Sequence, residues 1–167
     1  MNVVSGVKVE STEGGSTDGL SFIMDIDTYG FNFPSCVTGI VLPNGITKVQ
    51  NSNNTFCSFP NLQTIVIPEG VTSIGEEAFR ECTNLTSITI PSSVTNIGSS
   101  AFYYCSSLTS ITIPESVTGI DNYAFYYCSK LKTINYTGTE EQWEAINKDS
   151  YWCYGASFNV IYNYKPE

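Results

Sequence analysis

Three pentapeptides, AFREC at 78–82 and AFYYC at 101–105 and 124–128, recur at a constant shift of 23, and that fixed period constrains the fold more than any other feature of the chain. The period extends far beyond five letters. Leu62, Leu85, Leu108 and Leu131 keep it, as do Ile65, Ile88, Ile111 and Ile134, and then Ile67, Ile90 and Ile113. Pro68, Pro91 and Pro114 follow, then Val71, Val94 and Val117, then Ile74, Ile97 and Ile120. Self-similarity with a period in the twenties around an L-x-x-I-x-I core is the signature of a solenoid, in which each unit buries its apolar face only against its neighbours. A worn copy precedes these, because VTGIVLPNGITKV (37–49) aligns with LQTIVIPEGVTSI (62–74) at a shift of 25. Cys57 then matches Cys82, Asn53 and Asn54 stand for Ala-Phe, and the two extra residues fall at Phe59 and Pro60.

Within one unit, I-x-I puts both isoleucines on one face, as in a strand with one buried side. Proline directly after it ends the strand, having no N–H for a ladder. From Val71 to Ile74 the spacing is three and from Ala78 to Cys82 it is four, which fits one turn of α- or 3₁₀-helix with Ala and Cys facing inward. The recurring Ala, Phe and Cys are therefore core, and the changing pair between Phe and Cys points outward.

The motif LxxIxIPxxVxxIGxxAFxxCxxL resembles the repeat of BspA-type leucine-rich proteins. Its glycine is present as Gly75 and Gly98 and replaced by Asp121, and the match covers 37–138. The resemblance implies an α/β solenoid, a right-handed leucine-rich-repeat coil with a parallel β-sheet on one face. It also implies a surface adhesin or binding module, as such proteins are regarded on gut and oral bacteria and some mucosal protozoa. The expected organisation is an N-terminal β cap (1–36), repeats (37–138, divided as 37–61, 62–84, 85–107, 108–130 and a partial 131–138) and a C-terminal cap (139–167).

Caps are needed because end coils otherwise expose core and strand edge. Thr139 and Gln142 form a capping box, Glu140 and Glu141 suit a helix N-terminus, and Trp143 with Ile146 give one apolar side. SFNVIYNY (157–164) then alternates like a strand. This ending also resembles that of many BspA-type arrays, which implies a natural C-terminus. At the other end GVKVES and LSFIMDID read as strands around a Gly-rich loop, a small hairpin or β cap.

Composition excludes several classes of function. A net charge of −9 argues against nucleic acid and anionic membranes, and no apolar run is long enough to span a bilayer. Met1 to Glu10 has no signal-peptide pattern. The setting is extracellular or cell-surface if a leader has been removed, and cytoplasmic otherwise. Histidine is absent, so the usual base for a Ser or Cys nucleophile is missing. The carboxylate pairs Glu76/Glu77, Glu140/Glu141 and Asp25/Asp27 read as solvated surface, with too few oxygens at Asp25 and Asp27 for Ca²⁺. No cofactor or metal is implied, since there is no histidine and no C-x-x-C, and the cysteines of the ladder come one per coil. Cys57, Cys82, Cys105 and Cys128 read as free buried thiols, their separation too wide for disulfides. Cys153 stands 25 after Cys128, and Cys36 has no place in the ladder.

Two surfaces remain for a partner. The strand face offers Thr64, Ser87, Ser110 and Thr133 in one row and Val66, Thr89, Thr112 and Asn135 in the next, a composition that solubility alone explains. The variable pair offers Arg80, Tyr103, Tyr126 and Tyr151 in one row and Glu81, Tyr104, Tyr127 and Trp152 in the other, taking an offset of 25 for the last coil. Two readings of these aromatics stand. Either they anchor a host or neighbouring-cell protein or glycan, or they cover one another and the coil edges. The functional reading is a non-catalytic binding module, with a structural spacer or an intracellular scaffold as alternatives.

Overall fold

The computed structural model describes residues 21–23, 38–42, 44–50, 56 and 61–166. Two all-parallel sheets of six strands each run the length of the solenoid. One contains β2 (Gly39–Val41), β4 (Thr64–Val66), β6 (Ser87–Thr89), β8 (Ser110–Ile113), β10 (Thr133–Tyr136) and β12 (Asn159–Ile161) in that spatial order. The other contains β1 (Ser21–Ile23), β3 (Lys48–Gln50), β5 (Ser73–Ile74), β7 (Asn96–Ile97), β9 (Gly119–Ile120) and β11 (Asn147–Lys148). Successive strands therefore alternate between the two sheets, which is a β-solenoid of about five turns. Its register is the sequence period: Ile65 pairs with Ile88, Ile88 with Ile111 and Ile111 with Ile134.

The second sheet stands where the spacing predicts a helical turn. One isolated turn of helix leaves most of its N–H groups without partners. Stacked coils instead supply one from the coil before: the amides of Thr72, Thr95 and Thr118 donate to the carbonyls of Thr47, Thr72 and Thr95 at 2.8, 2.9 and 2.9 Å. Their hydroxyls follow the same route at 3.0, 3.3 and 3.3 Å.

The AFxxC segment is likewise not helical. Bonds within the turn, such as Cys82 N–H to Phe79 at 3.2 Å, alternate with bonds to the next coil, such as Phe79 N–H to Ala101 and Glu81 N–H to Tyr103, both 2.7 Å. The alternation requires left-handed backbone at two places per coil, occupied by Glu77 and Glu81, then Ser100 and Tyr104, then Tyr123 and Tyr127, with φ between 55° and 60°. Such a conformation costs of order 1 kcal/mol for a residue with a Cβ. Here it turns the N–H groups of Glu77, Glu81, Ser100, Tyr104 and Tyr127 along the solenoid axis to carbonyls of the next coil, which offsets the cost.

Inside, Phe56, Phe79, Phe102 and Phe125 form one column with centroids 5.2, 5.3 and 5.1 Å apart. Phe56 in this column corrects the alignment of the first coil. Val49 pairs with Ile74, a shift of 25, but Phe56 meets Phe79, a shift of 23. The two extra residues thus lie between Val49 and Phe56 rather than at Phe59 and Pro60. Cys57, Cys36, Asn53, Asn54, Asp25 and Asp27 lie outside the described residues. Of the strands expected in 1–36, β1 runs parallel to β3, and the rest lies outside the described residues.

Beside the phenylalanines run Cys82, Cys105 and Cys128, all buried and none in a disulfide. The thiols of Cys105 and Cys128 donate to the carbonyls of Phe79 and Phe102, each at 3.1 Å. Burial pushes the Cys128 thiol up to about 12, with a backbone contact from Cys105 acting against it. Cys153 is free and half-buried. Native protein treated with an alkylating agent near neutral pH is therefore expected to lose Cys153 before the other three described thiols, while Cys82, Cys105 and Cys128 react only on unfolding. Equal labelling of all four by mass spectrometry would contradict the sealed ladder.

After the last repeat, α1 (Glu140–Ala145) begins with the expected Thr139–Gln142 capping box. It buries Trp143 against Tyr136, which takes the place of Ile113 one coil on, with centroids 5.2 Å apart. Lys148 closes the helix end: its ammonium donates to the carbonyls of Trp143 and Ile146 and sits 4.9 Å from the Trp143 ring. Partial burial holds its pKa below the usual lysine value.

Candidate functional site

The turn segments place three outward positions per coil on one side of the solenoid. Successive amide-to-carbonyl bonds fix which residues stack. Phe102 donates to Ala124 and Tyr104 to Tyr126; one coil on, Phe125 donates to Trp152 and Tyr127 to Tyr154. Trp152 therefore takes the alanine place, and Tyr154 the place of Tyr126. The offset of the last coil is 28, as from Ala124 to Trp152, because α1 lengthens it.

This register corrects two expected site residues. Trp152 points inward and is half-buried against Phe125, Trp143 and Phe158, with centroids 6.0, 5.9 and 5.6 Å away. Tyr151 is exposed, but it follows Tyr123, at 6.0 Å and 18°, rather than Tyr126. Tyr154 completes the first row instead. Tyr123 escapes a reading of the repeats because the same place is Glu77 and Ser100 in the earlier coils, and Tyr154 escapes it because of the assumed offset.

The first row is a continuous column. The Arg80 guanidinium lies 4.8 Å from the Tyr103 centroid, Tyr103 and Tyr126 are 5.2 Å apart at 6°, and Tyr126 and Tyr154 are 5.4 Å apart at 22°. Arg80 is tied to the carboxylates of Glu77 and Glu81, whose bonds hold its pKa above the usual value, that to Glu77 most. The second row is Glu81, Tyr104, Tyr127 and Gly155, with Tyr104 and Tyr127 6.0 Å apart at 44°. Tyr123 and Tyr151 make the third. Edge contacts join the rows: Tyr123 to Tyr126 at 5.2 Å and Tyr126 to Tyr127 at 4.7 Å. Tyr126, at the centre, has its phenol pushed above the usual value by desolvation first, then by Tyr127, Tyr103, Tyr154 and Tyr123. Seven tyrosines thus form one connected surface, and Tyr104, Tyr123, Tyr127, Tyr151 and Tyr154 are exposed. A shallow depression of ≈ 510 Å³ opens beside it, lined by Arg80, Glu81, Thr83, Tyr103 and Tyr104.

The strand face is different. Thr64, Ser87 and Thr89 are exposed, and Thr112, which pairs with Thr89 and Asn135 in the outward row, is nonetheless buried in the middle of the sheet. Its outer row carries exposed apolar residues at both ends, Val41 and Val66 at one and Ile161 at the other. A depression of ≈ 330 Å³ lies over β4 and β6. Flanking hydroxyls, such as Thr86 to Gln63 at 3.3 Å and Thr109 to Thr86 at 3.0 Å, bond to carbonyls of the preceding coil.

Among the described residues no three His, Cys, Asp or Glu side chains gather where a metal ion would sit, and no helix is long and apolar enough to cross a membrane. Glu77 forms an ion pair with Arg80. Glu140 and Glu141 occupy the first turn of α1, where they suit the helix dipole.

A model of the BspA type leucine rich repeat region matches residues 51–153 in 6 copies. Among solved structures, a leucine rich cell surface protein from Faecalibacterium prausnitzii A2-165 matches with a TM-score of 0.60 at 33% identity, over 71% of this chain and 37% of that one. The leucine rich repeat protein TpLRR of T. pallidum matches with a TM-score of 0.54 at 26% identity, over 72% of this chain and 59% of that one. The chain thus spans less than two thirds of the length of either relative. No curated protein matches it.

Proposed function

The chain belongs to the BspA-type leucine-rich-repeat family, and from that premise we propose that it is a non-catalytic binding module of a bacterial surface that grips a protein partner with its tyrosine face. The observation that carries this reading is the joining of seven tyrosines from three coils into one surface. Tyrosine supplies large contact area at low entropic cost and dominates interface anchors. Scattered surface residues do not form such a patch. The cell-surface setting is taken over from the F. prausnitzii relative, whose description carries it.

The ring geometry favours protein over glycan. Parallel rings lying side by side in one plane need roughly 6.5 Å between centroids from ordinary carbon contact distances. Tyr103 and Tyr126, parallel at 5.2 Å, therefore overlap face to face and offer edges and hydroxyls outward. A sugar stacks on a free ring face, which this column uses on itself, whereas edges and phenols suit the amides and side chains of a protein. The contact of Arg80 with Tyr103 is a case of the column taking a guanidinium. With a net charge of −9, a basic partner is the complementary one.

The test replaces Tyr103, Tyr104, Tyr126 and Tyr127 by serine and measures binding to epithelial cells, to mucin and to a glycan array. Cell binding is expected to fall by more than about tenfold, since one aromatic anchor alone is worth about 2 kcal/mol. Circular dichroism is expected to stay that of a folded solenoid, and Thr64→Ala with Thr89→Ala to leave binding intact. Loss of binding in the threonine variant alone would move the site to the strand face. Binding by neither the parent nor any variant would leave the solenoid a spacer.

A further inference from the structure

We propose that Tyr104 and Tyr127 are a site of oxidative coupling, at which a haem peroxidase turning over hydrogen peroxide joins the two rings and staples adjacent coils. The inference is independent of any binding partner. It starts from the order of the second row, Glu81, Tyr104, Tyr127 and Gly155, in which each ring has the other as its one aromatic neighbour along the row. At Gly155 an added Cβ would lie 3.2 Å from the Tyr127 ring, so the row stops there with no side chain beyond Tyr127. Both phenols are reachable, at 47% and 43% exposure. Both residues share the same left-handed backbone, φ 59° and 55°, so the two side chains leave the chain in the same direction.

The relative tilt selects this pair among the contacts of the patch. A bond between two aromatic carbons lies in the plane of both rings, with the planes twisted about it. Tyr104 and Tyr127 are both exposed and stand 6.0 Å apart at 44°, with no face-to-face stack between them to break. Tyr103 and Tyr126 are nearly parallel and half-buried, so they must first unstack. Tyr126 and Tyr127 are nearer, at 4.7 Å, but they are sequence neighbours set at 73°. The thiols that would compete for an oxidant at Cys82, Cys105 and Cys128 are sealed in the core.

The chemistry balances with peroxide as the oxidant. Each phenol gives one electron and one proton to the peroxidase cycle, and peroxide is reduced to two molecules of water. The two tyrosyl radicals join through the carbons beside their hydroxyls, and the two ring hydrogens displaced at the new bond return to the oxygens. The product keeps both phenols and has lost two hydrogen atoms in all.

Dilute folded protein is treated with horseradish peroxidase and hydrogen peroxide. The expected product is a monomer lighter by two hydrogens, with the blue fluorescence of dityrosine, a raised melting temperature and a Tyr104–Tyr127 link by peptide mapping. Tyr104→Phe and Tyr127→Phe should each remove most of the fluorescence, Tyr151→Phe with Tyr154→Phe should leave it, and prior unfolding in urea should abolish the preference. Fluorescence unchanged in both single variants, a link mapped to another pair, or coupling found only between molecules would each overturn the proposal.

Discussion

Truncating Phe102 to alanine is expected to lower the stability of the solenoid by about 3 to 5 kcal/mol, whereas Tyr104→Ala, two positions away, is expected to cost within about 0.5 to 1 kcal/mol. Phe102 is fully buried and stacks on both sides, at 5.3 Å on Phe79 and 5.1 Å on Phe125, so its removal opens a gap between three coils at once. Tyr104 is exposed and loses only contacts within the surface patch. In a chain of this size the first change corresponds to a fall of roughly 10 °C in melting temperature, and the second to a few degrees at most. Urea unfolding followed by circular dichroism measures both. Equal losses would mean that the inward and outward sides of the AFxxC turn are interchanged.

A second large effect is expected with pH, through Cys128. Its folded value of about 12 lies above the ordinary thiol value of 9.0, because burial disfavours the thiolate. A raised folded value means that the stabilisation is fully present below the unfolded pKa and is lost as pH rises toward the folded one. Above about pH 9 the unfolded chain releases this proton while the folded protein keeps it, and each pH unit costs about 1.4 kcal/mol. By about pH 11 the accumulated loss is about 2 to 3 kcal/mol. Cys128→Ala should start less stable near neutrality, by about 1 to 2 kcal/mol for the lost sulfur, and then fall less steeply. The measurement is the gap between the two proteins in urea midpoints from about pH 8 to about pH 11, in the presence of reductant. A gap that stays constant would show that water reaches the sulfur.

The repeating columns of the core are legible in the sequence, and so is the capping box of α1, whereas the second sheet and the registers at the two ends are not. Leu, Ile, Val, Ala, Phe and Cys columns follow from the fixed period because stacking makes each column a single environment. The second sheet is hidden in the sequence because four of its strands, β5, β7, β9 and β11, are two residues long, and a spacing of three between Val71 and Ile74 fits a helical turn equally well. Backbone bonds to the neighbouring coil decide between them, and a single coil's sequence does not display them. At both ends, insertions shift the register: two residues before Phe56, and a helix before Tyr151. Alignment by nearest identity put Trp152 outward, whereas the fold uses its bulk to fill the space above Phe125. Tyr103, Tyr104, Tyr126 and Tyr127 stand out in the sequence because one motif is written twice. Tyr123 and Tyr154 join them only through the stacking of the last coil.

The left-handed residues of the turn have a mechanical consequence. By directing their N–H groups along the solenoid axis, they align the turn side with the two sheets, so the coil-to-coil bonds on all three sides run along that axis. Tension applied between the two ends of the array therefore pulls along its hydrogen bonds and not across them, and a ladder loaded in that direction opens rung by rung. Each coil released from an end frees one repeat of chain, a length of roughly 80 Å when extended. An array built this way yields to force one coil at a time, in steps set by the length of each coil, which makes the repeat a unit of extension as well as a unit of packing.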